Sequence, residues 1–434
     1  MRTRVLYIVH SDCVGGADVS LRSLLEALDP ARFEPVVACI RPAPSVLEWY
    51  AAAGVEVMHA PGIGTFPHTT GGWNPLAHPP GLARALRAAA GFGLSARVTE
   101  RLVRRVRPGL VHLNSLVLAP SAAGARAAGA RVVWQVRESV HPGHAGVRRR
   151  MLARGVARWA HEAIFISADD RRRLTGGRFG VVIPNFVDHR RFDRGLDGAA
   201  VRDELGIPPR APLVLFLGGV STIKGAHVLL PALVAARERV PEMHALVAGA
   251  ERPWSRSPAA RAARAVLPLL GTGTERQRFL RAHHRGAMEG WVRLLSHRPD
   301  PERLMAAADL VVFPSTVPHF ARPVIEAGAM ATPVVASRLG GMEELVDDGR
   351  TGLLVPPRDP AALADAIVRV LTEPGLARRM GEAGHEASLR RFAREPLVAQ
   401  VLDVYARVLG GLPAPAGAER QPASAARPSP EPSP

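Results

Sequence analysis

Apolar residues along this chain cluster in short runs rather than alternating with polar ones. In the first half the runs read "RVLYIV", "PVVACI", "VEVM", "LVHL", "RVVWQV", "AIFIS" and "VVIP", with longer helix-like stretches between them. A second series opens at "LVLFLG" and continues with "HALVAG", "WVRLL", "DLVVFPS", "PVVAS" and "GLLVP". A strand that is apolar at nearly every position is buried on both faces. The pattern therefore predicts parallel sheets covered by helices on either side. Two such series predict two doubly wound, Rossmann-like α/β domains in tandem. Between them, "NFVDHRRFDRGLDGAAVRDELGIPPRAP" has turn residues and no strand. This places an N-terminal domain over 1–193, a linker over 194–211 and a C-terminal domain over 212–385.

Three segments break the rhythm. Residues 251–289 form a basic stretch longer than an ordinary connection, expected to be an insertion or lid with a helix or two. Residues 386–410 read as closing helices with a break near Pro396. The tail over 411–434 is rich in Pro, Ala and Ser and is expected to be disordered.

Composition narrows the function classes. An apolar content of 47% supports large cores. Cys13 and Cys39 cannot build a disulfide framework, and no Cys/His spacing resembles a zinc site. The net charge is +17 and the pI about 11.4, which nucleic acid, an anionic membrane or a GC-rich coding sequence would each explain. Aromatics are only 5% and no basic stretch is interleaved with Tyr or Phe, so nucleic acid is the weakest of the three. Abundant Ala, Arg, Gly and Pro with scarce Lys point to base composition. Arg97, Arg101, Arg104 and Arg105 share one helical face, and so do Arg150, Arg154 and Arg158. Such faces suit an anionic inner leaflet or plain solvent. The apolar run Val5 to Val9 is too short for a signal-peptide core, and no run spans a bilayer. The expectation is a cytoplasmic protein, with peripheral contact at the inner membrane face as a variant.

Ligands in doubly wound folds sit at the carboxyl ends of the strands. Four loops qualify. In "HSDCVGGADVSLRSLLEAL", Gly15 and Gly16 open a helix whose amides suit an anion, although paired glycines serve equally as a tight turn. In "LFLGGVSTIKGAHVLL", Gly218 and Gly219 end a strand and Lys224 follows just before a helix, where it can meet a phosphate as a point charge. The spacing is not that of a Walker A loop. The third loop, "PSTVPHFARPVIEAGAMATPVVAS", places Glu326 in an apolar run behind a stiff Pro-containing segment. The fourth carries Gly340, Gly341, Glu343 and Glu344, with the two glutamates expected to complement the dipole of a helix they begin.

The wording of the C-terminal half, "ADLVVFPS", "RPVIEAGAMATPVVASRLGGMEELVDDGRTGLLVPPRDPAALADAI" and "IPNFVD", resembles the retaining GT-B glycosyltransferases of the GT4 family. "GGADVSLRSLLEALDP" is similar to that family's N-terminal glycine loop. The resemblance spans roughly residues 3 to 408. It implies a GT-B fold, with the two domains facing a cleft. It also implies a nucleotide-diphosphate sugar on the C-terminal domain, and a glycan or lipid-linked acceptor mainly on the N-terminal one. Residues 390 to 410 would cross back to the first domain. The family signature has two glutamates, and Glu326 matches the second, which accepts from ribose hydroxyls. Pro318 stands in place of the first. His319, Phe320 and Ala321 take the place of the backbone that touches sugar and phosphate, and the amides of Val324 and Ile325 would face the diphosphate. Lys224 matches the family's diphosphate lysine, but Gly219 stands where relatives carry an arginine. Arg322, or a base in 251–289, is the candidate to replace that cation.

The resemblance further implies a front-face transfer with retention. In such a transfer the donor's phosphate takes the acceptor proton and Lys224, Gly15, Gly16 and the helix start at 324 stabilise the leaving group. No cofactor or metal is expected, because Asp169–Asp170 and Asp347–Asp348 read as cap and turn residues. Inversion would need a base, for which His141 or His112 is the candidate. The alternatives are a non-catalytic GT-B homologue that binds a sugar nucleotide or a partner, and a sugar-nucleotide epimerase.

Overall fold

The computed structural model describes residues 2–41, 43–66, 79–140, 146–251, 279–281, 283, 284, 288 and 290–410. The expected tail over 411–434 and most of the expected insertion over 251–289 lie outside the described residues.

Both series of apolar runs form parallel sheets. The first contains β1 (Thr3–Val9), β2 (Phe33–Cys39), β3 (Glu56–His59), β4 (Leu110–Leu113), β5 (Val132–Val136), β6 (Glu162–Phe165) and β7 (Val181–Val182). Its order is β3-β2-β1-β4-β5-β6-β7. The second contains β8 (Leu213–Phe216), β9 (His244–Glu251), β10 (Val292–Ser296), β11 (Leu310–Phe313), β12 (Val334–Ser337) and β13 (Gly352–Val355), in the order β10-β9-β8-β11-β12-β13. In each sheet the order reverses once, between β1 and β4 and between β8 and β11. These switch points open the crevices in which such folds take ligands.

Burial explains the apolar runs. β4, β5, β8, β11, β12 and β13 are buried at every position, whereas the edge strand β3 is partly exposed. Each sheet carries an apolar cluster on either face, with Tyr7 and Trp134 among the largest enclosed side chains. Helix Pro79–Val106 packs on helix Ala119–Ala127 at close range. A Cβ on Gly124 would stand 2.1 Å from the Ala96 carbonyl oxygen, so only glycine admits that crossing.

The closing helices divide their contacts. Helix Leu376–Phe392 packs on helix Arg322–Ala329, where Gly328 and Gly384 let the two approach. Helix Arg394–Leu409 lies against the first sheet, with Leu397, Val398, Val401, Val404 and Tyr405 sharing a core with Val5, Tyr7 and Val9. The expected break near Pro396 falls instead at Ala393, which is extended (φ −61°, ψ 137°) and bridges to Val187. Pro396 sits inside the first turn, where its missing N–H removes no helical bond.

The two arginine rows lie on helices Pro79–Val106 and Val147–Trp159, and all seven residues are exposed. Leu86, Leu94, Val147 and Met151 are exposed on the same helices. No helix among the described residues is long and apolar enough to cross a membrane.

Substituting Gly124→Val should destabilise the protein by about 1–3 kcal/mol through overpacking, read as a lower thermal midpoint. Gly93→Ala, which meets nothing within 4 Å, should leave the midpoint unchanged or raise it. An unaltered midpoint for Gly124→Val would refute the steric reading of this crossing.

Candidate functional site

The loop after β8 is shaped by glycines that no other residue can replace. A Cβ on Gly218 would strike the Phe216 ring at 1.9 Å, and one on Gly225 would strike the Pro314 carbonyl oxygen at 1.7 Å. Gly219 has φ +64° and lies against the Gly249 backbone. The turn is laced to the loop after β11. The Thr316 N–H donates to the Ile223 carbonyl at 3.0 Å, and the Thr316 and Ser315 hydroxyls donate to the Thr222 and Ile223 carbonyls. Lys224 is thereby delivered beside His319. Burial first, then the Lys224 charge, push the His319 pKa down to about 4. The His319 ring stacks on Phe313 (5.6 Å, 8°), and the His319 backbone amide donates to the Gly340 carbonyl at 3.2 Å.

The rest of that loop differs from the sequence-based expectation. Phe320 and Ala321 are buried in the core, so His319 alone of the three presents a partly open side chain. Val324 and Ile325 are 4% and 2% exposed. Pro323 has no N–H, and the Val324 N–H closes onto the Ala321 carbonyl at 3.2 Å. Of the expected pair of amides, that of Val324 is therefore already engaged.

Glu326 is buried and already engaged. Arg322 Nε and NH2 both donate to its Oε1, at 3.0 and 2.7 Å, from one helical turn away. Oε2 takes no part in that pair. Arg322 NH1 donates to Ser20 Oγ at 2.7 Å, on the helix that follows β1. The expectation that Arg322 replaces a missing free cation is corrected accordingly, because its charge is compensated by Glu326. Gly16 presses on this arginine, since a Cβ there would lie 3.2 Å from Arg322 Cδ.

On the first sheet the Gly15 amide is also taken. It donates to Asp18 Oδ2 at 2.9 Å, while Tyr50 donates to Asp18 Oδ1 at 2.7 Å. Of the paired glycines, only Gly16 keeps an amide for an anion at this helix start. The deeper contacts were invisible in the sequence. Arg137, at the end of β5, donates to Asn114 Oδ1 (2.8 Å), Asn185 Oδ1 (2.7 Å) and Gln135 Oε1 (2.8 Å). A charge closing an apolar run, "QVRES", was the one available signal.

His112 is corrected as a base candidate. It is fully buried, its Nε2 donates to Gln135 Oε1 at 3.1 Å, and its Nδ1 lies 2.8 Å from the Tyr405 hydroxyl. Burial and the Arg137 charge push its pKa down to about 3. His141 lies outside the described residues. Asp170 caps its helix with Ser167, and Asp348 accepts from the Leu354 amide, so both act as cap and turn residues. Among the described residues no group of three or more His, Cys, Asp or Glu could hold a metal ion.

Glu344 differs from its expected role. Residues 340–345 form turns, not a helix. Its carboxylate instead accepts from the Ala168 and Asp169 amides, both at 2.7 Å, and so caps helix Ala168–Thr175 beside the other sheet.

Comparisons place this geometry among known proteins. Residues 198–387 match the family described as Glycosyl transferases group 1, and residues 15–187 match the Glycosyl transferase 4-like domain. D-inositol 3-phosphate glycosyltransferase of Corynebacterium urealyticum is 35% identical over 57% of this chain and 55% of its own length. The protein of the same name from Xylanimonas cellulosilytica is 37% identical over 57% and 56%. The chain thus spans about half the length of the curated relatives it matches. HepE of Anabaena in complex with UDP and glucose superposes with a TM-score of 0.74 at 20% identity, over 93% of this chain and 100% of that one. Sucrose-phosphate synthase of Thermosynechococcus elongatus gives 0.70 at 23%, over 94% and 100%. These likenesses show the GT-B fold.

His112 and His319 stay neutral in the folded protein below their ordinary pKa of 6.5. The unfolded chain then binds more protons, so stability is full above pH 6.5 and falls as pH drops towards 4. Asp170, raised to about 6 by burial, acts in the opposite sense as pH rises through that value. Melting curves of His319→Gln should lose about 1–3 kcal/mol of the acid-side fall. A curve parallel to the wild type from pH 7 to 4 would contradict this.

Proposed function

Because this chain belongs to the group 1 glycosyl transferases of the two-domain GT-B class, we propose that it moves a sugar from a nucleotide-diphosphate sugar to an acceptor hydroxyl, with retention and without a metal. The observation that carries this is that Lys224, in the loop after β8, and Glu326, on the helix after β11, lie on the connections that follow the two strands of the second sheet's switch point. Arg322 ties Glu326 to Ser20 on the helix that follows β1.

In this reading the nucleotide lies along the ends of β8 and β11. Glu326 exchanges its Arg322 bond for the ribose hydroxyls, or offers them Oε2. As the bond between the anomeric carbon and the phosphate oxygen breaks, negative charge grows on the diphosphate. Lys224 and the Gly16 amide stabilise that charge. The acceptor oxygen bonds to the anomeric carbon on the same face, and its proton passes to the departing phosphate. The enclosure of His112 favours this route over one that uses it as a base.

A UDP-sugar is the first donor to test, because HepE is seen with UDP and glucose. A phosphorylated polyol is the first acceptor to test, because the relatives are named for D-inositol 3-phosphate. Glycan and lipid-linked acceptors belong to the same class. The exposed arginine rows beside Leu94 and Met151 support peripheral contact with an anionic membrane from a cytoplasmic position. A second reading, a non-catalytic homologue that binds a nucleotide sugar, is favoured by Pro318, Gly219 and the occupied Oε1 of Glu326.

A thermal-shift panel of UDP, GDP, ADP and their sugars should identify one stabilising base. Lys224→Ala should then lower kcat/KM about 10²–10³-fold, with EDTA leaving the rate unchanged. Binding without turnover across a donor and acceptor panel would select the non-catalytic reading. On vesicles, co-sedimentation should require anionic lipid and fall with salt. Equal recovery with neutral vesicles would remove the membrane contact.

A further inference from the structure

Arg137 is a half-buried cation with an unusual set of partners. Three of its five N–H groups go to the carboxamide oxygens of Asn114, Asn185 and Gln135. Among the described residues no carboxylate lies within ion-pair distance of it. Glu138, its neighbour in sequence, turns its carboxylate to the Ser115 hydroxyl and the Leu116 amide. Asp18 is occupied by Gly15 and Tyr50. Neutral dipoles fix the guanidinium, and the nearby Glu138 and Asp18 carboxylates offset only part of the cost of holding its charge away from bulk water.

A second guanidinium faces it from the other sheet. Arg322 NH1 donates to Ser20 Oγ, Ser20 Oγ lies 3.2 Å from Asn185 Oδ1, and Asn185 Oδ1 accepts from Arg137 NH1. Ser20 and Asn185 thus hold two arginines of like charge on one short polar bridge. Burial first and then the charge of Arg322 lower the pKa of Arg137 to about 10. With the one carboxylate of the pair spent on Arg322, the positive charge left on this side of the bridge is that of Arg137, and it favours an anion.

We propose that Arg137, facing the Arg322–Glu326 pair across the cleft, forms a phosphate-binding site filled by a phosphate of the leaving nucleotide or of the acceptor. This rests on the glycosyltransferase reading above. The two N–H groups that Arg137 keeps form part of a planar fork suited to a phosphate edge. The site supplies a cation from the first sheet where Gly219 withholds one from the second.

Calorimetry on the full chain tests this with UDP, uridine and inorganic phosphate, the last titrated with and without saturating UDP. If the nucleotide's phosphate fills the site, Arg137→Gln weakens UDP about tenfold or more and leaves uridine within about twofold. If an acceptor phosphate fills it, UDP is unchanged and inorganic phosphate added to the UDP complex weakens by about tenfold or more. In either arm Arg137→Lys recovers part of the loss. Asn185→Asp reproduces the loss by pairing the guanidinium in place, and it decides the matter should Arg137→Gln fail to fold. Affinities for UDP and phosphate within about twofold of wild type in both variants overturn the site. A wild type that binds phosphate but no nucleotide keeps the site and refutes the glycosyltransferase reading.

Discussion

The buried pair of Arg322 and Glu326 is the interaction on which the cleft depends. Both side chains are nearly enclosed, at 10% and 7% exposure, and each would be costly to bury alone. Their spacing of four residues along one helix sets them on the same face, where they pair. Once paired, Arg322 still has NH1 to spend, and it spends it on Ser20 across the cleft. One guanidinium therefore holds the Glu326 carboxylate and links helices beside the two sheets. Any ligand that recruits Glu326 acts on the same atoms that set the separation of the sheets.

Around that pair, rigidity comes from backbone crowding rather than from long side chains. Gly218, Gly225 and Gly341 each lie where a Cβ would overlap a ring or a carbonyl, so the loops after β8, β11 and β12 are pressed into one layer. His319 shows the consequence. Stacked on Phe313 and overlooked by Lys224, it is held neutral. A neutral imidazole beside the lysine leaves Lys224 as the local source of positive charge. The second tie across the cleft works differently, because Glu344 caps a helix beside the other sheet through two backbone amides. It is a dipolar contact, with no opposite charge required.

Much of the site could be read from residue order alone. Lys224 and the double glycines follow strand ends, and the chain dictates that adjacency. The amides of Gly15 and Val324 looked free in the sequence and are not. A side chain three residues on satisfies the first, and the helix's own first turn satisfies the second. Spacing shows where a helix begins, but the acceptors of its end groups depend on rotamers and neighbours. Arg137 and Asn185 were missed for a plainer reason. They lie 48 positions apart and meet only once β5 and the segment after β7 stand side by side.

The sequence by itself determined the two sheets, their parallel sense and the family. Unbroken apolar strands and amphipathic helices admit few other ways to bury their surface. Tertiary structure decided which charges meet. It turned Arg322 from a free cation into a tie, made His112 a core residue wedged between Gln135 and Tyr405, and left Arg137 among carboxamides. Hydrophobic patterning is local and periodic, so it is written along the chain. Charge pairing is decided over a few ångströms between residues far apart in sequence, and only the folded chain sets those distances.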